Sequence, residues 1–90
     1  MSAIARTVQI TNRKGLHARA SAKFVTIAAG LGVVVEVEKD GAKVVGTSIM
    51  GLMMLGAAMG DHITISATGD GADAAVAALV DLVEAKFGED

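Results

Sequence analysis

The sequence contains no cysteine, no proline, no tryptophan and no tyrosine, and it has only two phenylalanines. The absence of cysteine excludes a disulfide framework, so the fold has to be stabilised by packing. Because aromatic residues are scarce, the core has to consist of Val, Ile, Leu, Met and Ala. With 52% hydrophobic and 20% charged residues, the composition is not that of a disordered chain. The 90 residues predict a single domain, residues 1–90, with one core.

The chain also lacks a strong charge of either sign and a long apolar run. Its formal net charge is −2, and few aromatic rings are available for base stacking, so we expect no nucleic-acid partner. The longest apolar run, Ile49–Met59, contains two glycines and is shorter than the ~20 residues of a membrane span. Met1–Arg6 shows no apolar segment with a cleavage site. We therefore expect a cytoplasmic protein without membrane insertion.

Alternation of apolar and polar residues predicts four strands. Ile4–Ile10 and His62–Thr68 each have one apolar and one polar face. Val33–Glu38 and Ala42–Val45 flank an Asp-Gly pair, which is typical of a two-residue type I′ hairpin turn. The register of this hairpin pairs two apolar residues on one face and two opposite charges on the other, namely Val37 with Val44 and Glu38 with Lys43.

Helical periodicity predicts three helices, Ala18–Ala29, Ser48–Met54 and Ala72–Phe87. The element order is βαββαβα, and three strands carry one polar face. This pattern predicts an α+β open-faced β-sandwich, a four-stranded antiparallel sheet covered on one face by three helices. The apolar faces of the first and last helices comprise Ala20, Phe24, Ile27, Ala28 and Leu31, and Val76, Leu79, Val80, Val83 and Phe87.

A histidine and an arginine lie where the first helix begins. Because backbone amides at a helix N-terminus lack partners and carry partial positive charge, they attract anions. A phosphoryl group on the His17 ring could be held by these amides and by Arg19, with Lys14 and Lys23 adding positive charge. From the residues alone, the alternative stays open that His17 only caps the helix and Arg19 is a solvated charge.

Two segments resemble the signatures of the HPr family, the phosphocarriers of the phosphoenolpyruvate-dependent phosphotransferase system. Asn12–Ser21 is similar to the active-site signature, and Gly46–Leu55 is similar to the stretch around the regulatory serine. The resemblance extends over essentially the whole chain. It implies that His17 is phosphorylated through Nδ1, that Arg19 stabilises the phosphate, and that Ser48 is the serine modified by a regulatory kinase. One departure is Ala20, where most of the family has proline. We expect this difference to lower the rigidity of the first helical turn and to leave the phosphoryl chemistry of His17 unchanged.

The resemblance also implies the partners of the protein. These are enzyme I as phosphoryl donor, acceptor A-domains, and an HPr kinase/phosphorylase. Members of the family serve either sugar uptake or a nitrogen-related regulatory branch. By resemblance, Ala20 and the methionine-rich helix favour the regulatory branch. We expect a monomeric carrier rather than an enzyme, with no cofactor.

The second helix has more large apolar residues than it can bury. With Leu52 and Leu55 turned inward, Ile49, Met50 and Met53 remain as a candidate docking patch.

Plainer interpretations apply to several of these residues. A serine before an apolar helical run is the usual N-cap, and this role of Ser48 is compatible with regulation. The alternative function is a non-catalytic binding module controlled by phosphorylation at Ser48. Because His62 lies on the polar face of a predicted strand, we expect it to be an ordinary surface histidine. The sequence has two histidines and no cysteine, so we expect no metal site.

Overall fold

The computed structural model describes residues 3–89 and contains one four-stranded antiparallel sheet. Its strands are β1 (Ala3–Gln9), β2 (Val35–Lys39), β3 (Ala42–Val45) and β4 (His62–Thr68), in the spatial order β1-β4-β2-β3. The helices are α1 (Ala18–Ala29), α2 (Ile49–Met54) and α3 (Ala72–Glu84), followed by a 3₁₀ turn at Lys86–Gly88. The predicted βαββαβα order and the open antiparallel sheet are confirmed. None of the helices in the described residues is long and apolar enough to cross a membrane.

The two faces of the sheet have different environments. Val8, Val37 and Ile65 are buried on the face that packs against the helices. On the opposite face, the hydroxyls of Thr7 and Thr64 lie 2.9 Å apart across β1 and β4 in an exposed hydrogen bond. The alternation along these strands therefore separates core from open surface, as predicted.

The hairpin has the predicted turn and register. Asp40 and Gly41 have φ angles of 51° and 85°, so both central residues are left-handed, as a type I′ turn requires. Both predicted cross-strand pairs are present, Val37 with Val44 and Glu38 with Lys43.

The bounds of two strands and the buried face of α1 differ from the sequence predictions. The strands predicted at Ile4–Ile10 and Val33–Glu38 lie at Ala3–Gln9 and Val35–Lys39; left-handed Gly32 and a bend come before β2. Ile27 was predicted to face the core but is 36% exposed. The buried face of α1 is rotated toward Ser21, whose hydroxyl donates to the Leu16 carbonyl at 3.2 Å and is thereby satisfied.

The last helix is shorter than its periodicity predicts. Helix α3 ends at Glu84, and Lys86 and Phe87 have φ angles of 57° and 55°. Phe87 is nevertheless fully buried, as predicted. The aromatic ring reaches the core from the turn, and the backbone after it is redirected.

Candidate functional site

His17 is the N-cap of α1. Its backbone is extended, with φ −74° and ψ −179°, and its ring Nδ1 accepts a hydrogen bond of 3.3 Å from the Arg19 amide. The side chain is 26% exposed, so the ring is held at the surface rather than in the core. Ala20 lies in the first turn of this helix, as predicted, and is buried. The sequence prediction that His17 stands over the amides of a helix N-terminus is confirmed.

A glycine positions the loop that leads to His17. Gly15 has a φ of 63°, and a Cβ at this residue would lie 2.3 Å from the carbonyl oxygen of Ala57. The next amide, that of Leu16, donates to the same oxygen at 2.9 Å. Only glycine allows this approach, which fastens the His17 loop to the segment that follows α2.

A carboxylate that the sequence reasoning missed completes the site. Glu89 Oε1 lies 2.8 Å from His17 Nε2, although 72 residues separate the two in sequence. The same oxygen accepts a 2.9 Å hydrogen bond from Nδ2 of Asn12, which is fully buried and also donates to the Gly15 carbonyl at 2.8 Å. No local pattern marks Glu89 as a functional residue, since its role depends on the turn after α3.

These hydrogen bonds act on the ionisation of the carboxylate. The bond from Asn12 and then the bond from His17 hold the pKa of Glu89 below its ordinary value, against a smaller opposing effect of burial. Glu89 is therefore ionised at neutral pH and acts as a hydrogen-bond acceptor.

Cationic side chains surround the exposed edge of the ring. Arg13, Lys14 and Arg19 line one cleft together with His17 and Glu89. Within residues 3–89, the Arg19 guanidinium forms no ion pair. Such a cleft at a helix N-terminus can hold a doubly charged phosphoryl group beside a ring nitrogen.

Lys23 adds positive charge to the site, as predicted, because, alongside the larger effect of the Asn12 hydrogen bond, its charge helps to hold the pKa of Glu89 below its ordinary value. Its ammonium group does not line the cleft itself and donates to the carbonyl of Phe87 at 2.7 Å. Lys23 therefore fastens the turn that carries Glu89.

The second signature forms α2 and its cap. Ser48 Oγ accepts a 2.9 Å hydrogen bond from the Gly51 amide, which confirms the predicted N-cap.

The large apolar residues of this segment are divided between core and surface. Leu52 and Leu55 are buried, as predicted. The predicted patch residues Ile49, Met50 and Met53 are exposed by 41%, 69% and 41%. Two further exposed methionines, Met54 and Met59, were not predicted as part of this surface.

The second histidine takes no part in the His17 site. His62 is exposed at the start of β4 and pairs with Gln9 of β1. Among the described residues, no group of three or more His, Asp or Glu side chains is arranged to hold a metal ion.

Comparison with known proteins agrees with both signatures. Residues 4–85 match the family model described as the PTS HPr component phosphorylation site. The chain is 49% identical over 86 residues to phosphocarrier protein HPr of Neisseria meningitidis, covering 93% of this chain and 94% of that protein. It is 39% identical over 89 residues to phosphocarrier protein NPr of Shewanella violacea, covering 99% and 98%.

A solved structure gives the same result for the fold. The crystal structure of HPr from Thermoanaerobacter tengcongensis superimposes with a TM-score of 0.90 at 47% identity, covering 100% of this chain and 99% of that one. The match of the whole fold, together with the family model and the relatives, shows that this chain belongs to the HPr family of phosphocarriers of the phosphotransferase system.

Proposed function

We propose that the protein accepts a phosphoryl group from phosphoenolpyruvate-charged enzyme I onto Nδ1 of His17 and passes it to acceptor A-domains. The observation that supports this most is the position of the His17 ring, capping α1 beside a cationic cleft. In acceptance, the Nδ1 lone pair forms a bond to phosphorus while the bond from phosphorus to the donor breaks, and its electron pair leaves with the donor. Donation to an A-domain is the same exchange in the opposite sense.

The residues around the ring have separate roles in this proposal. The Arg19 guanidinium holds the phosphoryl oxygens together with the free amides of the first turn of α1, and Lys14 adds positive charge at the cleft. The protein turns over no small molecule and needs no cofactor. It acts as a cytoplasmic, monomeric carrier with a single domain.

The surface formed by Ile49, Met50 and Met53 is the proposed docking patch for donor and acceptors. The hydrogen bond between Leu16 and Ala57 connects the His17 loop to the segment following α2, which supports a shared docking surface. Ser48 begins the same helix, so a phosphate added by an HPr kinase/phosphorylase would put charge beside this patch.

The relatives of the chain bear both the HPr and the NPr name, which fits either sugar uptake or a nitrogen-related regulatory branch. A purely regulatory module controlled at Ser48 remains the alternative function. A histidine with Nδ1 at a helix N-terminus and a cationic cleft favours the carrier over that alternative, because phosphoserine signalling needs neither.

Incubation with phosphoenolpyruvate and purified enzyme I tests the proposal. Intact-mass measurement should show one added phosphoryl group that is lost in acid. His17→Ala should abolish this addition, while His62→Ala, the matched control, should retain it. Arg19→Ala should slow charging by about tenfold or more, since the amides remain. Charging of His17→Ala at the native rate would refute the proposal, and an unchanged rate in Arg19→Ala would make Arg19 a solvated charge.

A further inference from the structure

We propose that Glu89 is a positioning residue for His17. Its carboxylate keeps the ring proton on Nε2, so that Nδ1 keeps its lone pair, and it balances the positive charge that the ring acquires when Nδ1 is phosphorylated. The second part of this inference rests on the proposed function, whereas the first part concerns the unphosphorylated ring alone.

The hydrogen bonds around the ring agree on one tautomer. An ionised carboxylate can only accept, so the 2.8 Å contact with Glu89 Oε1 requires a proton on His17 Nε2. The Arg19 amide can only donate, so its 3.3 Å contact requires a lone pair on Nδ1. The two contacts together assign the neutral ring as the Nε2–H tautomer, with Nδ1 as the nucleophile.

The second contact of Glu89 fixes where the carboxylate lies. Asn12 Nδ2 contacts two acceptors, Glu89 Oε1 and the Gly15 carbonyl, so the orientation of its amide is determined. Because Asn12 is fully buried, the side chain has little freedom to move. Glu89 is therefore held from two directions, by the His17 ring and by a fixed amide.

The backbone that carries Glu89 is anchored and strained. Phe87 is fully buried, and its carbonyl accepts from the Lys23 ammonium at 2.7 Å. Lys86 and Phe87 both have left-handed φ angles, which are unfavourable for residues with a side chain. The Glu89 amide then closes the turn on the Lys86 carbonyl at 2.9 Å. Such strain persists only where the surroundings enforce it, and its effect here is to bring a carboxylate to His17.

The chemistry of phosphoryl transfer gives this contact its use. When Nδ1 bonds to phosphorus and Nε2 keeps its proton, the ring becomes positively charged. The carboxylate at 2.8 Å then faces a cation instead of a neutral N–H, so the interaction strengthens as the reaction proceeds. The carboxylate of a Ser-His-Asp triad supports its histidine in the same way.

Three variants separate orientation from charge. Glu89→Ala removes both the acceptor and the charge. Glu89→Gln keeps a carbonyl oxygen that can accept from Nε2 but removes the charge. Glu84→Ala removes a charge from the exposed end of α3 without touching the ring, and it is the matched control.

Two readouts are needed, ring ¹⁵N shifts at alkaline pH and the rate of charging by enzyme I. In the native protein and in Glu84→Ala, the His17 ring should be held as the Nε2–H tautomer. In Glu89→Ala, it should move toward the tautomer mixture of the exposed His62 in the same spectrum, with charging slowed by about tenfold. Glu89→Gln should keep the tautomer and still charge more slowly than the native protein.

Unchanged His17 ring shifts in Glu89→Ala would overturn the positioning role. Native charging by Glu89→Gln, with its tautomer retained, would overturn the charge-balancing role. Failure of the native protein to charge at all would refute the proposed function instead, and the ¹⁵N shifts would still decide whether Glu89 holds the ring.

Discussion

The amide of Leu16 donates a 2.9 Å hydrogen bond to the carbonyl of Ala57, and this bond joins the loop before His17 to the segment after α2. The first family signature therefore meets, at the backbone, the segment that directly follows the second signature in sequence. Gly15 makes the contact possible, because a Cβ there would lie 2.3 Å from the Ala57 oxygen and 2.8 Å from the Ala58 Cα.

Gly15→Ala should therefore destabilise the fold by about 3 kcal/mol, from the clash and the left-handed backbone together. Gly32→Ala is the matched control, since Gly32 has a φ of 75° but nothing within 4 Å of its Cβ position. It should cost only about 1 kcal/mol, the conformational part alone. Urea denaturation of both variants measures the difference, and equal losses would show that the contact with Ala57 is unimportant.

The docking patch can be tested apart from the chemistry. Met50→Asp should weaken binding of enzyme I by about tenfold or more, because it places an unpaired charge in a contact that loses its water. Val34→Asp is the control, since Val34 is 72% exposed and Met50 is 69% exposed. Calorimetric titration gives both affinities. A donor that shifts resonances only on the open face of the sheet would exclude α2 as the docking surface.

Ser48→Asp should keep the melting temperature of the native protein and lose much of the rate of charging at His17. Aspartate is also a good N-cap, so the bond to the Gly51 amide is retained in kind. The added charge would have to be buried on docking beside the apolar patch and would repel an incoming phosphoryl group. A large fall in melting temperature would show that Ser48 acts through its cap alone, and full charging would place α2 away from the interface.

The ionisation of Glu89 should depend most on Asn12. The pKa of Glu89 is lowered in the folded protein, so its stabilising contacts are complete above the pKa of the unfolded chain and are lost as pH falls through the lowered value. Asn12→Ala should raise that pKa toward its ordinary value, and His17→Ala should raise it less. Titration of the carboxyl ¹³C resonance measures both shifts, and the opposite order would contradict the assignment of Asn12 as the larger cause.

Local patterns predicted the parts of the molecule that local interactions determine. The Asp40-Gly41 turn and its flanking alternation predicted the hairpin register, because turn geometry and side-chain period both act within a few residues. The bounds of α1 and the cap by His17 were predicted for the same reason.

The rest of the site depends on contacts between distant residues. The period of apolar residues in α3 continues to Phe87, so the sequence predicted a helix where the backbone turns left-handed. The helical pattern predicted a buried Phe87 and the ring is buried, so burial alone could not reveal the turn. Glu89 was missed because its position depends on that turn, and the contact of Lys23 with the carbonyl of Phe87 was missed for the same reason.

The position of phosphorus on the charged protein tests the central claim most directly. After charging by enzyme I, a ¹⁵N-labelled sample should show phosphorus coupled to Nδ1 of His17, with the proton still on Nε2, and His62 should be unchanged. Phosphorus on Nε2 of His17, on His62 or on any other residue would contradict this account.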